Sequence, residues 1–384
     1  MILSSPIMKN SKSISPILFC IIALLFSSEI SAQETQKSKG YYYFEPAISY
    51  GRFVPTVPED HFLWQKSIYN VILSFGKQTT GEKAWERAFN CPDYGFAIKY
   101  GYMDYEAFNS RFAIYAYING RIYENEFLGF TYKLGGGLSC WNKIYDETTN
   151  PDNIFISTHL NCHLNIDLGA FFKISPKTDI VGNVVVSHSS NGALKLPNRG
   201  SNALTGQLGL RYHLQDRPLL QKNIDTVLQF HPKNSFYVTE APGILESHAG
   251  DVTKFHFANT MQLGYARQFN RKFRYGAGFD LMYSTELLMK LPEEQRQDYY
   301  RAFNSAVYGS FDVLYDKVMI HIAFAKYIYR SFDFFIPVYE RFGVKYMFGK
   351  DNNHAVGIMM KLHFASIDYI EWGYTYQFAN WYDK

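Results

Sequence analysis

The chain has 384 residues and carries 38 Lys and Arg against 35 Asp and Glu, a formal net charge of +3. This near balance gives no electrostatic basis for binding nucleic acid or an acidic partner. Aromatic residues make up 18% of the sequence, although the mean hydropathy is only −0.21. Abundant aromatic side chains in a chain of slightly negative hydropathy are typical of a membrane β-barrel, whose strands alternate and whose interfaces carry aromatic girdles.

The N-terminal segment predicts a secretory signal peptide over residues 1–32. A basic start with Lys9 and Lys12 precedes an apolar core at 17–26, and the small residues around Ala32 provide a cleavage site. The apolar core is too short to cross a bilayer as a helix. We therefore expect an exported protein from which this segment is cleaved.

Alternating polar and apolar residues predict β-strands through most of the chain. In 159–168 the odd positions are His, Asn or Asp and the even positions are Leu, Cys or Ile; the period recurs at 207–214, 357–364 and 371–378. A closed barrel satisfies every backbone group in lipid, which favours it over a soluble sheet. The expected fold class is all-β, an antiparallel transmembrane outer-membrane β-barrel of about 14–16 strands. Residues 33–384 are expected to form it as a single domain.

The predicted connections differ in length, which orients the barrel. Short turns are expected at 175–178, 270–271, 316–317 and 349–353, and longer segments at 139–155, 240–253 and 285–303. Outer-membrane barrels have short periplasmic turns and longer extracellular loops. The strand that begins near Asp179 should therefore run outward, which places its last residues at the extracellular end.

That strand ends in the most informative segment of the chain, Val-Val-Val-Ser-His-Ser-Ser-Asn-Gly at 184–192. Side chains two apart on a strand share a face, so His188 and Ser190 lie on the apolar face of Val184. In an unbroken register, Asn202 on the next strand falls on the same face. The three residues predict a polar patch on the lipid-facing side, near the outer-leaflet headgroups.

The residue types in this patch suit serine ester hydrolysis. Ser190 is the candidate nucleophile and His188 the candidate general base. The candidate oxyanion donors are Asn191, Asn198 and the backbone amides around Gly192. The glycines and the proline of the loop would shape it around these donors.

The run His188-x-Ser190-Asn191, followed by Lys195-x-Pro197-Asn198-x-Gly200, resembles the PagL-type lipid A 3-O-deacylases, in particular the acyloxyacyl hydrolase-like variant. The segments 81–85, 94–95, 149–151 and 157–161 resemble that variant too. The resemblance covers 40–215, and residues 216–384 are expected to be additional barrel strands.

The resemblance implies an outer-membrane serine esterase that removes an ester-linked acyl chain from lipid A. Its partner would be lipid A or a related glycolipid in the outer leaflet of the membrane in which it is embedded. We expect a monomer with neither a metal nor an organic cofactor. The sequence departs from the family at Asn202, where the resemblance implies a glutamate. In serine proteases the change from acid to amide costs about 10⁴-fold in rate.

Three functional readings therefore stay open at this point. The chain is an enzyme with a dyad or with a carboxylate from a distant loop, an inactive relative, or a non-catalytic barrel that serves as a pore or a structural protein. A separate alternative concerns His159, His163 and Asp167, which share one strand face and are potential metal ligands. Residues four apart on a strand are separated by about 13 Å, so a hydrogen-bonded lumen network is the preferred interpretation.

Overall fold

The alternating pattern produces sixteen antiparallel strands in the part of the chain that the structure describes. This computed structural model describes residues 40–218, 220, 230–247, 254–331, 336–364 and 366–382, so the expected signal peptide at 1–32 lies outside it. The first eight strands are β1 (Tyr41–Phe53), β2 (Ser67–Gln78), β3 (Asp93–Met103), β4 (Ser110–Glu124), β5 (Leu128–Trp141), β6 (Leu160–Ser175), β7 (Thr178–Ser190) and β8 (Ser201–His213). The other eight are β9 (Lys233–Ser247), β10 (Lys254–Gln268), β11 (Phe273–Ser284), β12 (Phe303–Tyr315), β13 (Val318–Tyr329), β14 (Val338–Phe348), β15 (His354–His363) and β16 (Ser366–Tyr382).

These strands close into two barrels of eight strands each. In the first barrel β1 pairs with both β2 and β8, and in the second β9 pairs with both β10 and β16. The antiparallel all-β barrel class is confirmed, whereas the single barrel expected over 33–384 is not what forms. The alternating pattern specifies strands and faces, but closure depends on pairs far apart in sequence, such as Tyr43 with His213, which no local pattern encodes. Both barrels belong to one compact unit, Tyr41–Lys384.

The outer surface of both barrels is apolar and the interior is polar. On β7 the outward side chains of Val184 and Val186 are 58% and 50% exposed, while Val185 between them is 1% exposed. Outward residues of the second barrel, such as Phe324, are likewise exposed. This inversion of the soluble pattern is the arrangement that lipid requires.

The interior of each barrel is filled by buried ion pairs. In the first barrel Glu45 contacts Nη2 of Arg211, and Nη1 of Arg211 lies 3.4 Å from a carboxylate oxygen of Asp93. In the second barrel Arg341 lies between Asp280 and Glu371, at 2.6 and 2.7 Å. Removing one partner of such a buried pair costs about 3–5 kcal/mol, because it leaves a charge without compensation. The side chains therefore form a packed polar core, as eight-stranded barrels allow.

Helical structure is confined to the connections. Two short α-helices, α1 (Ala84–Ala88) and α2 (Thr285–Met289), occur with 3₁₀ segments at Pro58–Gln65, Glu293–Gln295, Tyr299–Ala302 and Lys350–Asn352. Among the residues described, no helix is long and apolar enough to cross a membrane.

Most of the predicted connections are confirmed. The strands leave short turns at 176–177, 269–272 and 316–317 and a long connection at 285–302. The loop expected at 240–253 is wrong for residues 240–247, because the alternation of buried and exposed side chains continues to the end of β9. Its remainder, 248–253, lies outside the described residues.

An apolar cluster closes one end of the first barrel. We call this end the loop end; it carries the connections 54–66, 104–109, 142–159 and 191–200. The side chains of the cluster come from strand ends and from these connections: Phe53, Leu63, Ile68, Met103, Phe108, Trp141, Phe155, Ile156 and Ala203. Burial of this cluster holds the connections against the barrel.

At the opposite end the two barrels touch. Lys83 Nζ lies 3.2 Å from a carboxylate oxygen of Asp316, and the hydroxyls of Tyr132 and Tyr315 are 3.0 Å apart. The ring of Phe89 stacks on Tyr315 with centroids 4.1 Å apart. A further contact, at the loop end, involves the residues that follow Ser190.

Candidate active site

The pairing of β7 with β8 brings the three predicted site residues together. His188 lies directly opposite Asn202 in a register without a bulge, and Ser190 is the last residue of β7. Both His188 and Ser190 fall on the outward face of the barrel, in line with Val184 and Val186, as their spacing predicts. Ser190 is nevertheless only 4% exposed, because the loop after it covers the hydroxyl.

A line of hydrogen bonds joins the three side chains. Ser190 Oγ lies 2.9 Å from Nε2 of His188, and Nδ1 of His188 lies 2.7 Å from Oδ1 of Asn202. An amide oxygen only accepts, so Nδ1 carries the proton. Nε2 is then the unprotonated nitrogen and accepts the hydroxyl proton of Ser190. This is the arrangement of a general base directed at a nucleophile.

The side chain that orients His188 is the amide of Asn202. Within the described residues the hydrogen-bond partner of His188 Nδ1 is Asn202, and no carboxylate from a distant loop takes that place. Asn202 selects the same tautomer that a carboxylate would. It supplies no negative charge to an imidazolium, which is the part of the orienting role that an amide lacks.

The loop 191–200 curls over Ser190, and its interactions separate the predicted oxyanion donors. The side-chain amide of Asn191 donates to Ser157 Oγ (2.9 Å) and to the Lys195 carbonyl (2.8 Å). Its backbone N–H donates to Oδ1 of Asn198 at 3.2 Å. Both side-chain protons of Asn191 are therefore engaged within the loop. Among the described residues, the backbone N–H groups of Gly192 and Ala193 and the Asn198 side-chain NH₂ have no acceptor, so they remain candidate donors for an oxyanion.

Two residues that sequence reasoning did not single out as site residues brace this loop. Ser157, fully buried, donates to the Lys195 carbonyl at 2.7 Å while it accepts from Asn191. Asp60, 2% exposed, pairs with Arg199 at 2.8 Å. Neither lies near the motif in sequence, and no spacing rule could have connected them with it. Their roles follow from the folding of separate connections onto the loop end.

Gly200 fits closely against the imidazole. It has a φ of +75°, and a Cβ at this position would lie 2.8 Å from Cε1 of His188. A side chain here would have to adopt a left-handed conformation and would also displace the ring. Glycine is therefore required at this position on two separate grounds.

The three potential metal ligands, His159, His163 and Asp167, form hydrogen bonds with different partners. Nδ1 of His159 is 2.7 Å from the Trp141 carbonyl, and Nδ1 of His163 is 3.0 Å from Ser189 Oγ. Asp167 accepts from Asn165. In the described ranges no group of three or more His, Cys, Asp or Glu side chains is arranged to hold a metal ion. His163 and Asp167 are buried on the inward face of β6, as the lumen-network interpretation expects, whereas His159 is exposed and precedes β6, so the three residues do not share one strand face.

An apolar groove of about 820 Å³ lies on the outward face of the same two strands. Gly182 and Gly206 line it, and a Cβ at Gly182 would meet no atom within 4 Å. Gly206 is four residues from Asn202 along β8, about 13 Å. The groove is rimmed by outward side chains of these two strands and of neighbouring strands: Ile48, Tyr50, Tyr69, Val71, Tyr100, Tyr102, Leu168, Val184 and Leu208.

An apolar outer face, a polar interior and closed antiparallel pairing define the class as a membrane β-barrel protein. Residues 69–211 match the family model described as lipid A 3-O-deacylase (PagL). Residues 234–381 match the model described as acyloxyacyl hydrolase, C-terminal domain. The chain belongs to the PagL-type lipid A 3-O-deacylase and acyloxyacyl hydrolase-like family, a hydrolase family of the outer membrane.

The first matched segment covers nearly all of β2 to β8, and the second covers nearly all of β9 to β16. The resemblance seen in the sequence over 40–215 is thereby confirmed for residues 69–211, and a family match extends to the second barrel, where no family feature was recognised. A crystal structure of the outer membrane enzyme PagL has 17% identity and a TM-score of 0.32, covering 43% of this chain and 97% of that chain. The outer membrane protein Omp33 of Acinetobacter baumannii has 10% identity and a TM-score of 0.17, covering 88% and 99%. Among curated proteins no relative matches the chain.

The hydrogen-bonded serine predicts covalent labelling. A fluorophosphonate probe should phosphonylate Ser190 Oγ with loss of fluoride, because His188 removes the hydroxyl proton. Mass spectrometry of the labelled protein should locate the adduct on Ser190, and Ser190→Ala and His188→Ala should abolish it. Ser189→Ala is the matched control, since Ser189 faces the interior and contacts His163. Equal labelling of wild type and Ser190→Ala would contradict the assignment.

Proposed function

We propose that the chain is an outer-membrane serine esterase that hydrolyses an ester-linked acyl chain of lipid A or a related glycolipid. The observation that carries this proposal is the hydrogen-bonded line from Ser190 through His188 to Asn202, placed on the face that meets lipid. The family supports the reaction class and the substrate. A site on the outward face of a barrel lies beside the molecules of the membrane, which suits a lipid substrate.

The chemistry follows from the hydrogen bonds. Ser190 Oγ attacks the ester carbonyl carbon while Nε2 of His188 accepts the hydroxyl proton. The N–H of Gly192 and the amide of Asn198 then stabilise the oxyanion. The tetrahedral intermediate collapses as His188 returns the proton to the departing alkoxide oxygen of the glycolipid. Water, deprotonated by His188, then attacks the acyl-serine, and His188 returns that proton to Ser190 Oγ as the fatty acid is released.

The groove supports an acyl chain as part of the proposed substrate. It lies on the outward face, where Gly182 and Gly206 replace the bulky side chains present elsewhere on β7 and β8. An acyl chain laid against these glycines would extend from Ser190 toward the membrane centre. Burial of each methylene is favourable by about 0.8 kcal/mol relative to water. An acyl chain in the membrane is already out of water, so the groove would instead hold the chain in a fixed direction.

The side chains that fill the interiors of both barrels argue against a pore. Eight-stranded barrels have room only for their own side chains, and in both barrels the described interior holds buried ion pairs and aromatic rings. The inactive-relative reading is weakened by the intact geometry of Ser190 and His188. Each barrel closes on itself, leaving no open strand edge for another subunit, which supports a monomer.

Deacylation can be read directly from lipid A. Cells of a Gram-negative host expressing the wild-type chain should yield lipid A species lighter by one acyl chain in mass spectrometry. Ser190→Ala should give the spectrum of the host alone, because removal of the nucleophile leaves only binding and oxyanion stabilisation. Identical spectra for wild type and Ser190→Ala, with both proteins folded in the outer membrane, would eliminate the proposal.

The charge at position 202 is expected to limit the rate of the proposed enzyme. Asn202→Asp should raise kcat, because a carboxylate keeps the tautomer and adds charge stabilisation of the imidazolium; the gain should stay well below the about 10⁴-fold effect seen in serine proteases, which arises from a wrong tautomer that Asn202 already avoids. Asn202→Ala should lower kcat, since His188 then loses its orienting partner. The check is the initial rate of ester hydrolysis in detergent micelles at saturating substrate. A rate for Asn202→Asp equal to or below that of wild type would show that charge at this position is not limiting.

Filling the groove should impair turnover of long acyl chains. Gly206→Leu and Gly182→Leu should lower kcat/KM for a long-chain ester by about 10-fold or more while sparing a short-chain ester. Gly309→Leu is the matched control, because Gly309 also faces outward into open space, on the second barrel. Equal loss with short and long esters, or equal loss in the control, would argue against an acyl-binding groove.

A further inference from the structure

The loop that follows Ser190 is held by the second barrel through hydrogen bonds. The Ala193 carbonyl accepts from the backbone N–H of Glu246 at 2.8 Å. The N–H of Leu196 donates to the Glu246 carboxylate at 2.5 Å. Glu246 lies at the end of β9, so one residue of the second barrel engages both a carbonyl and an N–H of a loop that belongs to the first.

A second contact comes from the neighbouring strand of the same barrel. Ile370 on β16, 4% exposed, packs against Gly192. A Cβ on Gly192 would lie 2.3 Å from Cγ1 and Cδ1 of Ile370. Ile370 is paired with Ile244 on β9, two residues from Glu246. Both contacts therefore come from the seam at which the second barrel closes.

The backbone of the loop needs such support. Gly192 and Ala193 have φ of +66° and +64°. An alanine in the left-handed region is unfavourable and persists only where its surroundings impose it. The hydrogen bond from Glu246 falls on the carbonyl of that alanine. On the other side Ser157 holds Asn191, so the strained Ala193 and the neighbouring Gly192 lie between two fixed points.

We propose that the second barrel is a positioning element for the active site. Glu246 and Ile370 hold the loop so that the Gly192 N–H points at the oxyanion formed on Ser190. The inference rests on the proposed function and assigns the second barrel a role in it. Glu246 touches no reacting atom and is a positioning residue. Oxyanion donors act by being fixed before the transition state forms, and a displacement of about 1 Å costs about 10²-fold in rate.

The test compares Glu246→Ala with Glu246→Gln in the full chain, using a short-chain p-nitrophenyl ester and the fluorophosphonate probe. Glu246→Ala should lower kcat and the labelling rate by about 10-fold or more, with KM changed less than about 2-fold. Glu246→Gln should retain most of the rate, because its amide oxygen accepts the Leu196 N–H. Ile370→Ala should lower kcat in the same way, and it gives an independent reading should Glu246→Ala fail to fold.

Glu240→Ala is the matched control. Glu240 lies on the same strand and the same outward face, about 20 Å from Glu246, and bonds Asn259 instead of the loop. Folding of each variant is checked by heat-modifiable electrophoretic mobility. Unchanged kcat in folded Glu246→Ala and Ile370→Ala, or a rise in KM alone, would overturn the inference. Failure of wild type to label at Ser190 would instead count against the proposed function.

Discussion

The pairing of β7 with β8 is the constraint on which the site depends. His188 and Asn202 are direct partners across these strands, and this alone brings Nδ1 within hydrogen-bond distance of an amide oxygen. A slip by one residue would turn Asn202 into the interior and place Ser201 or Ala203 opposite the imidazole, and neither side chain could reach Nδ1 as Asn202 does. In lipid the apolar face of every strand must point outward, so the membrane itself penalises that slip. The register that suits lipid is the one that assembles the site.

The pairing does not by itself arrange the loop that follows. Residues 191–200 leave the sheet, and their backbone depends on groups from elsewhere in the chain. Ser157 and Asp60 hold them from the loop end of the first barrel, above the buried apolar cluster. Glu246 holds them from the second. The pairing of β7 with β8 thus positions the base and the nucleophile, while three separate segments position the proposed oxyanion donors. Different mutations would therefore disrupt the two parts of the site.

The limits of prediction follow from the same division. Parity along β7 and β8 was enough to place His188, Ser190 and Asn202 on one outward face, because that face depends only on local alternation. The same alternation gave a range of about 14–16 strands, which includes the sixteen described. The division into two barrels could not, since closure is decided by pairs such as Tyr43 with His213 that no short-range pattern links. The supporting role of Glu246 was likewise invisible, because it appears only once the barrels are in contact.

The position of the two seams has a consequence for biogenesis. The first seam joins β1 to β8, so the first barrel has every strand it needs without any from the second. Each closure then spans only about half of the chain, which lowers the entropic cost of bringing its ends together. Segments that close independently generally fold as units. The two barrels would then form as two units, and the loop after Ser190 would gain its contact with Glu246 only once both have closed.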